Sequence, residues 1–158
     1  LSMLSTDRPG YQLPLLLLEG FRIIIEDLHA ELDRRGHPGL RPAHGFALQA
    51  VGTEGATTVD MSRRLGMTKQ AAAKHIDALE RRGYVERTAH PTDARSKLVQ
   101  LTAQGVDCLD TSARIFEELR TGWERDLGRP QLDQLFDALG VLTHGKPPRM
   151  DMPGWFGS

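Results

Sequence analysis

The stretch TTVDMSRRLGMTKQAAAKHIDALERRGYVERTAHPTDARSKLVQLTAQG, residues 57–105, decides how this chain folds. Its spacing predicts a helix, a tight turn, a second helix, a β-hairpin and the start of a long helix. Thr57 with Asp60 three positions on resembles a capping box in which Asp replaces Glu or Gln. Val59, Met61 and Leu65 supply an apolar side, and Gly66 offers a left-handed stop. Thr68 caps the second helix, Ala72, Ile76 and Leu79 form one buried stripe, and Gly83 ends it. Residues 85–88 and 97–101 are the strand candidates, with Val99 and Leu101 on one face. The polar loop AHPTDARS joins them, and Thr102 caps the helix that follows. The order is that of a helix-turn-helix with a wing.

The face left over on the second helix carries Lys69, Gln70, Ala73 and Lys74. A helix entering the major groove must approach closely, which the small Ala73 permits, and Gln70 offers the bidentate pattern that matches adenine. Lys69 and Lys74 can reach phosphates. Thr58 and Thr68 stand at helix starts, where free backbone amides suit phosphate. The hairpin loop adds Asp93, Arg95 and Lys97. These residue types in this order point to double-stranded DNA as the partner. The plain alternative is a solvated helix face, and the wing beside it argues against that.

The run RRLGMTKQAAAKHIDALERRGYVERTAHPTDARSKLVQLTAQG resembles the MarR family of bacterial winged-helix regulators. The marks are LERRGYVER at the end of the second helix and DARSKLVQLTAQG through the wing and its exit. The resemblance implies a mostly helical (α+β) winged-helix fold, with residues 1–158 forming one subunit. Residues 41–102 would be the DNA-binding lobe. Residues 12–35 and 103–144 would be dimerisation helices joining two copies into a homodimer, and 145–158 an irregular tail. It further implies a near-palindromic operator and, most often in this family, repression. The wing roles fall on Arg95, which would enter the minor groove, and on Asp93, which would hold the wing in shape. Family members commonly respond to small, often aromatic ligands bound between the dimer helices and the lobe. Phe21, Ile25, His29, His44 and Phe46 are the residues expected to face such a cleft for an aromatic or apolar effector. The same residues would serve equally well as core.

Charge is informative once divided. Residues 57–105 carry nine Lys and Arg against five Asp and Glu, a net +4, while the remainder is net −5 and the whole chain −1. Positive charge is thus concentrated where phosphate would be met. The single Cys108 excludes an internal disulfide and a cysteine-rich zinc site. One turn into a helix, beside Asp107 and Asp110, it reads as an inert, partly buried thiol. A thiol redox sensor built on it is the alternative, but reactive thiols need exposure and nearby positive charge. His29, His37 and His44 cluster in sequence but show no tight ligand spacing, so no metal and no cofactor are expected. No phosphate loop, nucleophile elbow or metal-ligand motif supports an enzyme. A winged-helix interaction module that has lost DNA binding is a further rival, and the retained basic character argues against it.

Outside that stretch the pattern is helical. A helix is expected from near Pro14 to about Arg35, with Leu17, Phe21, Ile24, Leu28 and Leu32 on one stripe and Leu16, Ile23 and Ile25 beside it. One small subunit has difficulty burying all of that, so burial against a second copy is expected. A shorter helix follows at 41–51, then a loop, GTEG. Residues 103–127 should form a long helix, and a last one should start at Pro130 with Leu132, Leu135, Phe136, Leu139 and Leu142 repeating. Glu19 and Arg22 interrupt the apolar run 15–25, which is too short and too charged to span a bilayer. No secretory signal is read, and a cytoplasmic, membrane-free protein is the expectation.

Overall fold

Threonines and glycines set the element boundaries across residues 8–146, the part of the chain that the computed structural model describes. The order is α1 (Gln12–Arg34), α2 (Pro42–Val51), α3 (Thr58–Leu65), α4 (Lys69–Arg81), β1 (Val85–Ala89), β2 (Lys97–Leu101), α5 (Ala103–Leu127) and α6 (Arg129–Leu142). The hydroxyl of Thr57 accepts from the Asp60 amide, and the Asp60 carboxylate accepts from the Thr57 amide. That reciprocal box satisfies two otherwise orphaned donors. It also holds the Asp60 carboxyl below the usual carboxylate range, the Thr57 amide being the main cause. Gly66 stops α3 in the left-handed region at φ 62°. Thr68 and Thr102 repeat the cap, accepting from the amides of Ala71 and Gly105. The fold is a mostly helical winged helix with a two-stranded wing. Helix α1 starts two residues before Pro14, whose missing N–H falls in a first turn that has no use for it. The expected tail lies almost wholly outside the described residues.

The core forms where the stripes meet. Ala72, Ile76 and Leu79 of α4 are buried against Leu48 and Val51 of α2, Met61 and Leu65 of α3, and Val85 and Val99 of the wing. Leu28 and Leu32 of α1 and Cys108 and Ile115 of α5 close that core from the other side. The upper half of the α1 stripe differs: Leu17 and Phe21 are exposed in the subunit. In α6 Leu132 is buried, while Leu135, Phe136 and Leu142 are exposed.

Strands β1 and β2 pair antiparallel, from Val85 with Leu101 to Ala89 with Lys97. A third, one-residue piece joins them at Ala56, whose N–H and C=O bond the C=O and N–H of Val99 at 2.9 and 2.8 Å. The GTEG loop is therefore stitched to the sheet rather than free. Gly55 makes this possible at φ +83°, since a Cβ there would lie 2.8 Å from the Val99 carbonyl oxygen. The exit from the wing is equally tight. The Thr102 amide donates to the Tyr84 carbonyl, the Thr102 hydroxyl to that of Gly83, and α5 then passes with Gly105 against Tyr84.

A buried polar group spans the junction of three segments. His37, in the α1–α2 loop, has Nδ1 3.1 Å from the Tyr84 hydroxyl and Nε2 2.8 Å from an Asp107 carboxylate oxygen. It ties that loop to the start of β1 and to α5. Among the described residues no helix is long and apolar enough to cross a membrane.

Candidate nucleic-acid interface

Helix α4 presents its N-terminal turns outward because Ala72, Ile76 and Leu79 hold the opposite side in the core. Lys69, Gln70 and Lys74 are exposed there, and Ala73 is half-buried between them. Thr68 is exposed, its hydroxyl engaged by the Ala71 amide, and the half-buried Thr58 is the first residue of α3. On the wing Asp93, Arg95 and Lys97 are exposed. Among the described residues Lys69, Lys74, Arg95 and Lys97 make no ion pair, whereas most other arginines do. The cations of this face are thus available to an external anion.

The wing loop is built from its own polar groups. His90 Nδ1 accepts from the amides of Thr92 and Asp93 at 3.2 and 3.1 Å. The Asp93 carboxylate accepts from the Arg95 amide at 2.9 Å and from the Ser96 hydroxyl at 3.1 Å. Those two donors, the amide first, hold its carboxyl below the usual range. Asp93 shapes the loop and leaves the Arg95 side chain free to reach outward.

A clamp absent from the sequence reading connects wing and helix. Arg87 of β1 donates to Asp77 at 2.6 Å and to Glu80 at 2.7 Å, both on α4. One guanidinium thus bridges two carboxylates of α4 and ties that helix to the hairpin. The signal was present: Asp77 and Glu80 stand three apart, on one helix face.

The five residues expected at an effector cleft separate. A cavity of about 290 Å³ opens between α1, α2 and α5. Ile25, His29 and Phe46 line it. Phe21 and His44 do not. The Phe21 ring instead stacks on Phe46, centroids 6.3 Å apart and planes 16° from parallel. His44 occupies the third position of α2, so its ring folds back and Nδ1 accepts from the Arg41 amide at 3.0 Å. Cys108 also lines the cavity, at 2% exposure, and burial pushes its thiol up to about 11. No group of three or more His, Cys, Asp or Glu able to hold a metal ion occurs among the described residues.

Residues 39–96 match the model of the MarR family. Over most of the chain the fold is similar to several solved structures. DNA-bound FabT of Streptococcus pneumoniae superposes with a TM-score of 0.73 at 17% identity, covering 87% of this chain and 96% of that one. A mutant MarR from E. coli gives 0.67 at 21% identity, over 87% and 98%. A transcriptional regulator from Thermotoga maritima gives 0.64 at 22% identity, over 86% and 94%. No curated protein sequence matches the chain.

Proposed function

We propose that this chain, whose residues 39–96 match the model of the MarR family, is a sequence-specific transcriptional regulator. It binds double-stranded DNA as a homodimer on a near-palindromic operator, acts as a repressor in the cytoplasm, and is a binding protein rather than an enzyme. The observation that carries the reading is the set of unpaired cations, Lys69 and Lys74 on α4 with Arg95 and Lys97 on the wing, on elements clamped together by Arg87. Gln70 beside them can read a base edge in the major groove. FabT, similar in fold, is a DNA complex.

The dimer reading rests on α1 and α6. Leu15, Leu16, Leu18, Phe21 and Ile23 on one, and Leu135, Phe136 and Leu142 on the other, are exposed apolar side chains in the subunit. Exposed apolar side chains in such number mark an interface. Effector control rests on the cavity between α1, α2 and α5. A molecule that binds the DNA-incompetent arrangement better shifts the dimer off DNA by its differential affinity and by no more.

Two rivals lose ground. A winged-helix interaction module has no need to keep four unpaired cations on one face. A redox sensor at Cys108 would need an exposed, acidified thiol, and this one is buried with its proton held more tightly than usual. The test is selection of bound DNA from a random pool. It should return two inverted half-sites about one helical turn, ~10 bp, apart. Recovery of no enriched motif would contradict the proposal.

A further inference from the structure

From the lining of the α1–α2–α5 cavity we infer that its ligand is an uncharged, largely apolar molecule carrying one hydroxyl, bound through His29. This deepens the effector reading above and rests on it.

The lining contains no Lys, Arg, Asp or Glu. Ile25, Leu28, Leu32, Phe46, Leu109 and Phe116 are among its apolar lining. The cavity's polar side chains are also uncharged near neutral pH. Cys108 keeps its proton, because burial raises it to about 11. His29 is pushed below the ordinary histidine value by burial, with Asp33 opposing only in part. A carboxylate or ammonium entering this space would lose its hydration and find no opposite charge in the lining, which disfavours ionised ligands.

One polar atom asks for a partner. His29 Nδ1 is buried and has no hydrogen-bond partner among the described residues. The other candidates in the lining are already engaged or open to water: the Ser112 hydroxyl donates to the Cys108 carbonyl at 2.8 Å, and Gln49 is exposed. A ring nitrogen of neutral histidine is either a donor or an acceptor, depending on tautomer. A hydroxyl satisfies both cases, since it donates and accepts. An ether or carbonyl satisfies one case, and a hydrocarbon neither. At about 290 Å³ the space lies at the small end of small-molecule sites.

Three probes of one shape separate the possibilities: 2-naphthol, naphthalene and 2-naphthoate, titrated into the full chain without DNA at pH 7.5. Naphthol should bind about tenfold tighter than naphthalene, the worth of one hydrogen bond to a buried group. Naphthoate should bind at least tenfold more weakly than naphthol. His29→Phe should remove the advantage of naphthol over naphthalene while leaving naphthalene bound. Naphthoate equal to or tighter than naphthol would overturn the inference, as would no binding of naphthol up to its solubility, or a naphthol preference that survives in His29→Phe. A parallel titration of the DNA-bound protein keeps the two readings apart. Naphthol that binds through His29 but releases no DNA upholds the ligand class and removes the effector role.

Discussion

A methyl group on Gly105 would sit 2.2 Å from the Tyr84 carbonyl oxygen, a backbone atom that already accepts from the Thr102 amide. Gly105→Ala must therefore push α5 away from the base of the wing. We expect a loss of about 1–3 kcal/mol of stability, in the range of overpacked cores, read by urea unfolding; unchanged stability would contradict the packing described. In the proposed complex the DNA-facing residues divide by groove. Arg95→Ala should weaken DNA binding by about 1–3 kcal/mol per site while preserving the preferred half-site, because a minor-groove contact reads little beyond A·T against G·C. Gln70→Ala should instead relax preference at one or two positions in each half-site. Binding-site selection on both variants at one salt concentration checks the pair. An altered half-site in Arg95→Ala would show that the wing sits elsewhere. At this scale the sequence was legible where chemistry is local. Thr57, Thr68 and Thr102 act on amides three residues away, and the α4 stripe repeats every three or four. His37, Tyr84 and Asp107 lie far apart in the chain, and no spacing rule brings them together. The bond from the Arg41 amide to His44 was not legible either, because spacing does not say that a ring at the third helical position turns back onto the cap.

Helix α2 is the element with the most to lose on acidification. Its N-terminus is closed by His44 Nδ1 accepting from the Arg41 amide, which needs an unprotonated nitrogen. His44 is held below its ordinary 6.5 by burial first, then by the charges of Arg82, His75, Arg41 and His29. Burial lowers His29 and His75 in the same direction. A histidine depressed in the folded state stabilises fully above its unfolded value, and that stability is lost as pH falls. Unfolding free energy should thus be level above about pH 7 and fall below 6.5. In His44→Gln, which keeps an acceptor for the Arg41 amide, the fall should be shallower. Urea unfolding at pH 7.5, 6.5 and 5.5 measures it, and equal stability at 5.5 and 7.5 would refute the role given to these histidines. Element boundaries were otherwise read closely, since caps, Gly66 and Gly83 mark them. The Ala56–Val99 stitch escaped because one residue of extended chain has no periodicity.

For the whole molecule, two exposed sets of side chains matter. One is made by the basic side chains of α4 and the wing; the other by the exposed apolar side chains of α1 and α6, with Phe136 still 52% exposed. Leu135 and Phe136 gave a clean helical repeat, yet a repeat says which residues share a face and not what covers it. If a second copy covers it, the interface is large and the lone subunit poorly stable. Sedimentation at micromolar concentration should then find a dimer, and a well-folded monomer would exclude it. The central claim, that unpaired Lys69, Lys74, Arg95 and Lys97 meet DNA phosphates, is tested most directly by affinity for a selected operator over a range of salt. Two subunits neutralising about six to ten phosphates should give a slope of log affinity against log salt of roughly −5 to −9. A slope near zero would contradict it.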